Sequence, residues 1–362
     1  MLIFNYVLQT ELNRNPCFES ILSTFNDQYI MKTSHHVIFL LLSTALFLTA
    51  CSEDQVCDEG IIEVPNTVAL LDGAEYAASI QNCRLPRVQR FSFQAFEGGT
   101  FRGPQDTEVF VPPQSIFNDD GEPVDALVTL ELIEMYEPGE IIACQLSTNG
   151  LSTTAVPEPL LSEGIYYINL SLPGVNLNLA NDLQVFSPST NAGLSLFQFN
   201  SLSCQEIDCS VLWEANAGVE VLAGGIENPD GTVTEGYTTF VRQLGWISVA
   251  RYNPDDSVRT IIYNKAPVQF NGSNSNTFLL YEGNSTGIAM FDRYDSSLDV
   301  FSEMHGQIPT GTDGHFILVT VQDGAYRFAT QSTTIDMDQI GLTTQTSDVT
   351  ETAFINSLNA LQ

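Results

Sequence analysis

Positive charge is nearly missing from this sequence. Its 362 residues hold 12 Lys and Arg against 44 Asp and Glu, a formal net charge of −32. A chain this acidic repels phosphate backbones and anionic headgroups, which argues against nucleic acid and against electrostatic docking on a membrane. Lys265 is the only lysine after residue 50. Asn, Ser, Thr and Asp fill the polar positions instead, and these are residues of strands and turns, so the composition predicts an all-β protein. Hydrophobic residues make up 43% of the chain, too many for a disordered acidic tail. Fixed short repeats and low-complexity tracts are also missing.

The common signatures of catalysis and of zinc binding are not expected either. SxxK, HExxH and CxxC do not occur, and beyond residue 50 the histidines are His305 and His315. His315 alternates with Ile317 and Val319 at a strand start, the pattern of a structural histidine. No nucleophile motif, GxSxG included, is expected. With 44 acids, some carboxylate pair must fall at glycosidase spacing, so their number proves nothing. Glu131 and Glu134 read as exposed residues of a pleated strand. The expected role is therefore non-catalytic, and no cofactor is expected. Two oxygen-rich turns fit a hard cation such as calcium: Asp292, Asp295 and Asp299, and Asn118, Asp119, Asp120 and Glu122.

What the sequence does have begins at Met31. Lys32 and two His precede an apolar core, Val37 to Leu48, too short to span a bilayer, and the segment closes on Leu48-Thr49-Ala50-Cys51. This is the pattern of a secretory signal peptide (31–50) ending in a lipobox, with Cys51 as the acylated residue. Residues 1–30 carry Glu11, Glu19 and Asp27 ahead of the charged leader and read as a mispredicted extension. Ser52-Glu53-Asp54, with Asp58-Glu59 behind it, resembles the surface-export signal of lipoproteins in the Bacteroidota. That resemblance implies an outer-membrane lipoprotein displayed outward, held by lipid on Cys51.

Past an acylated lead-in (51–87), short alternating strands recur at even spacing, the pattern of β-sandwiches. Val128, Leu130 and Leu132 face one way and Thr129 and Glu131 the other. Glu108-Val-Phe-Val is a strand ended by two prolines, which cannot donate to a ladder. Glu140 to Leu146 is expected to be another strand. Two β-sandwich domains are expected, 88–203 and 212–362, joined by a linker at 204–211. A helix of about Ser347 to Leu361 closes the chain, with Phe354, Leu358 and Leu361 on one face and Ser347 or Thr350 as cap.

Five cysteines remain after Cys51. Cys204 and Cys209 are spaced to staple a short loop, and Cys57 with Cys83 would tie down the lead-in. Cys144 is left as a small buried hydrophobe. For a glycan, exposed rings are the usual stacking surface. Tyr252, beside the Asn253-Pro254-Asp255-Asp256 turn, is the first candidate and Trp213 the second, while Trp246 and Phe240 are expected in the core.

The run Val109-Phe-Val-Pro-Pro-Gln-Ser-Ile-Phe-Asn-Asp-Asp-Gly-Glu-Pro-Val, followed by Val128-Thr-Leu-Glu-Leu-Ile-Glu, resembles the core of ZU5-like β-sandwich domains found in secreted proteins of the Bacteroidota. Leu160-Leu-Ser-Glu-Gly-Ile-Tyr-Tyr-Ile is similar to a later segment of the same family. The departure is Asp125-Ala126, where relatives carry a glycine. Leu244-Gly-Trp-Ile-Ser-Val-Ala-Arg-Tyr resembles a "GWINxDRF" signature of C-terminal halves in such lipoproteins, with Ser248 in place of Asn and Ala250 in place of Asp. These resemblances imply fold more than activity. The expected function is a surface interaction or structural module. The alternative is a glycan- or peptide-binding component of an outer-membrane uptake system.

Overall fold

The computed structural model describes residues 71–191, 193–202 and 205–362. The signal peptide, the lipid site at Cys51, and Cys57 and Cys204 lie outside those residues.

The layout follows from a few strands that are apolar on both faces. Gly245–Arg251 and Asp313–Gln322 are buried along nearly their whole length. Successive side chains of a strand point to opposite faces, so such strands need a core on each side. In Asp313–Gln322, Phe316 and Leu318 enter one core while Ile317, Val319 and Val321 enter another. In Gly245–Arg251, Ile247 and Val249 go one way, Trp246 and Ala250 the other. Slipping either strand by one residue would exchange the two sets, which fixes the register.

These strands lie in one thirteen-stranded sheet. A five-stranded sheet, ordered Val221–Glu227, Val233–Val241, Leu183–Pro188, Glu108–Val111, Gly99–Arg102, packs on its first half. Val109, Val111, Val185 and Tyr237 there meet Val128, Leu130, Tyr166 and Ile168 of the large sheet. A four-stranded sheet, ordered Arg293–Asp295, Val300–Pro309, Arg259–Lys265, Ile340–Leu342, packs on the second half around Phe270, Leu279, Phe301 and Phe316. The protein is thus all-β and sandwich-like, with the two sandwiches sharing the large sheet.

The third core is closed by helices. Helix α1, Gly73–Arg84, starts where Asp72 accepts a hydrogen bond from the Ala74 amide at 2.8 Å. Helix α2 is Pro138–Ala143, and helix α3 is Glu351–Asn359 with Thr350 as its cap. Phe354 and Leu358, one turn apart, are fully buried on Tyr326, Ile141 and their neighbours. Among the described residues no helix is long and apolar enough to cross a membrane.

Several expectations change. Residues 204–211 do not separate two sets of strands. Phe197–Ser201 and Trp213–Ala215, on either side of them, pair with each other, and Gly245–Arg251 sits between Leu161–Ser171 and Phe197–Ser201. Strands after residue 212 therefore complete the first sandwich, and residues 67–362 cluster as one unit. Turn signals mark where a chain reverses, not which sheet it returns to. The expected strand at Glu140–Leu146 is helix α2 with Pro138 in its first turn, where a missing N–H costs nothing. The lead-in contains helix α1, and the last helix begins at Glu351 because Ser347–Val349 pairs with Tyr326–Phe328.

The cysteine pairing is also corrected. Cys83 is bonded to Cys144, with Cα atoms 5.2 Å apart, so Cys83 does not pair with Cys57 and Cys144 is not free. The reason is packing: Cys83 lies on the buried face of α1, and Cys144 caps the C-terminus of α2 in the same core. Cys209 is disulfide-bonded too.

Candidate functional site

The ligand-facing rings expected from sequence do not line a binding surface. Trp213 is fully buried, its indole donating to the Ser147 carbonyl at 2.8 Å. Tyr252 is half-buried, with its ring against Phe197 and Phe199 at 5.8 and 5.5 Å between centroids. Trp246 is in the core as expected, while Phe240 is half-buried.

The acidic turns do not converge. Asp292 faces His305 Nε2 at 2.5 Å, Asp295 accepts from Ser297, and Asp299 accepts from Tyr294. Asp119 is held by Asn176 and Asn178, whose amides keep its carboxyl below the usual range. Among the described residues no group of three or more His, Cys, Asp or Glu is placed to hold a metal. Glu131 pairs with Arg90 at 3.1 Å. Glu134 is buried rather than exposed, and accepts from the Thr107 amide and from Gln89. A Cβ on Gly103 would lie 2.0 Å from its Oε2, so a larger residue there would have to displace the carboxylate from its hydrogen bonds.

Two clefts share the tip of one hairpin, Asn276–Tyr281 and Thr286–Met290, turned through Glu282-Gly-Asn-Ser. Gly283 has φ +149 in open space, a conformation side chains rarely adopt. Beside the hairpin, the pairing of Leu161–Ser171 with Gly245–Arg251 jumps from Gly164↔Val249 to Ser162↔Ala250. Glu163 is the extra residue of this bulge, and a bulge re-aims its side chain. Its carboxylate accepts from Ser189 Oγ at 2.7 Å, from Asn191 Nδ2 at 3.0 Å and from Ser285 Oγ at 2.8 Å. One carboxylate thus ties the bulge, the loop after Leu183–Pro188 and the hairpin tip together. Asn284 lines both clefts.

The first cleft, about 750 Å³, is lined by Glu137, Glu163 and Glu235 with Gln105, Ser189 and Asn191, and no Arg or Lys. The second, about 640 Å³, is lined by Arg251, Asn253, Asp255, Tyr281, Glu282 and Asp313, among others. Arg251 makes no ion pair or hydrogen bond among the described residues, and its Nε is buried without a partner. Tyr281, 4% exposed, likewise has an unpartnered hydroxyl, and burial, with Glu303 nearby, pushes its phenol far above the usual range. Asp255 is held below the usual carboxylate range by the Ser257 hydroxyl and amide. Glu282 Oε1 stands 3.0 Å from His315 Nε2, a close contact without hydrogen-bond alignment, and His315 Nδ1 is 3.0 Å from Ser332 Oγ.

Gly283-Asn284-Ser285-Thr286-Gly287 spells GxSxG, which the expectation of no nucleophile motif passed over. The motif carries chemistry on a strand-to-helix turn with a histidine base. Here Ser285 sits in a β-hairpin turn and donates to Glu163, so the match does not form a nucleophile elbow. Sequence reasoning missed Glu163, because a bulge leaves no compositional trace. Arg251 was in view, inside the "GWINxDRF"-like stretch, but its lack of a partner is a fact of packing.

Comparison of the chain with protein-family models, with curated proteins and with solved structures found no match.

Proposed function

We propose that this is a non-catalytic lipoprotein, tethered through Cys51 to the outer membrane, facing outward and serving as an interaction module. The observation that carries the reading is the Met31–Cys51 segment, whose charged start, short apolar core and small residues before Cys51 match a lipoprotein leader. The acidic total supports a solvated surface, and the Ser-Glu-Asp run after Cys51 supports outward display. The first sandwich is ZU5-like on this reading, since the matching residues fall on the consecutive strands Glu108–Val111, Ile116–Phe117 and Leu127–Met135. Membrane fractionation tests the anchor. Wild type is expected in the outer-membrane pellet and Cys51→Ala in the soluble fraction; equal sedimentation of both would reject it.

The paired polar clefts favour a second reading, capture of a small ligand for uptake. Concave sites with a few convergent polar groups are where such ligands bind.

A further inference from the structure

We infer that the second cleft binds a small zwitterion, with its carboxylate on Arg251 and its ammonium among Asp255, Glu282 and Asp313. This rests on the capture reading and names its ligand class.

The Arg251 guanidinium lies half-buried at the cleft with no protein partner among the described residues. Arg87, Arg90, Arg102, Arg242, Arg259 and Arg327 each have a carboxylate within 4.0 Å. Arg84, Arg251 and Arg293 have none; Arg84 holds backbone carbonyls instead and Arg293 is exposed, so Arg251 is the half-buried guanidinium left unanswered among the described residues. A partly buried charge without a partner costs stability, and a bidentate carboxylate is its best complement. The cleft also holds three carboxylates. Glu282 has one oxygen beside His315, and Asp313 has one taken by Thr334 Oγ1 at 2.5 Å, so each keeps an oxygen that accepts nothing among the described residues.

Each simpler ligand leaves at least one charge unanswered. A lone anion would face three carboxylates, and a lone cation would leave Arg251 unpaired. A neutral sugar answers neither charge, and the ring lining the cleft, Tyr281, is too buried to stack on. A molecule carrying both charges satisfies both sets. At about 640 Å³ the cleft suits something of dipeptide size.

Titration calorimetry on the full chain in detergent, at low salt, tests this with glycyl-leucine, its methyl ester, its N-acetyl form and maltose. Glycyl-leucine is expected to bind, and removing either end charge to weaken binding about tenfold or more. Arg251→Gln is expected to weaken binding by a similar factor without lowering the Tm, because the guanidinium has no protein partner to lose; Arg251→Lys should recover part of the affinity. A fall in Tm with Arg251→Gln would mark a structural role and overturn the assignment. So would an ester that binds as tightly as the free acid. Maltose binding that Arg251→Gln abolishes would overturn the zwitterion but leave the capture reading standing. No heat from any probe at millimolar concentration would overturn both.

Discussion

Replacing Arg84 by Met should be among the most damaging single changes in this protein. Arg84 is fully buried at the end of α1 and holds four carbonyls: Nε donates to Cys144 at 2.9 Å, Nη1 to Ile207 at 2.9 Å and Cys209 at 2.8 Å, and Nη2 to Gln145 at 3.2 Å. Its guanidinium carbon lies 5.2 Å from the centre of the Trp246 ring. Burial pulls its pKa down to about 10, so it remains charged at neutral pH. Methionine matches the stem but donates nothing. The Cys144 and Gln145 carbonyls belong to buried contacts, and each orphaned buried acceptor costs about 1–3 kcal/mol. Ile207 and Cys209 are partly reached by water and lose less. Removing the guanidinium also removes its own desolvation cost, which offsets part of the loss. The net expectation is a destabilisation of about 3–5 kcal/mol, a fall in Tm of roughly 10 °C for a domain of this size. Arg84→Lys keeps the charge without the fork and should lose about half as much. Thermal melts followed by circular dichroism read both variants. Arg84→Met melting within a degree or two of wild type would refute the reasoning that this fork holds α1 to the loops at 144–145 and 207–209.

Two further predictions concern stability. Losing the Cys83–Cys144 disulfide, which closes a loop of 61 residues, should cost about 4 kcal/mol by chain entropy; urea unfolding of the double Ser variant reads it, and peptide mapping without reduction should join Cys83 to Cys144. Burial raises the phenols of Tyr76, Tyr166, Tyr281 and Tyr326, and pushes Tyr167 up to about 12. Above a pH of about 10 the unfolded chain releases these protons while the folded chain keeps them, so stability should fall as pH rises, by about 1.4 kcal/mol per unit for each such tyrosine. Absorbance at 295 nm should show them ionising together with unfolding, and independent titration near the ordinary tyrosine value would contradict the burial.

Much of the fold was legible because the strand period is strong wherever one face meets water. Val128, Leu130 and Leu132 against Thr129 and Glu131 gave their strand and its inner face correctly. The period fades where both faces are buried, as in Gly245–Arg251, and there the sequence could not reveal a shared sheet with helices behind it. That is why the 204–211 boundary failed and why α1 went unseen: its apolar positions are few and its buried anchor is an arginine. The disulfide could not be read from spacing, since Cys83 and Cys144 meet only when α1 docks beside α2. The clefts were less legible still. They depend on a bulge at Glu163 and on an arginine defined by the partner it lacks, and both are properties of register and packing.

The covalent state of the chain's mature start decides whether this is a lipoprotein. Mass spectrometry of the N-terminal peptide, taken from protein extracted from membranes, measures it directly. The expected peptide begins at Cys51 and carries a diacylglyceryl group on its sulfur. A peptide that begins elsewhere, or an unmodified Cys51, would overturn the lipoprotein reading.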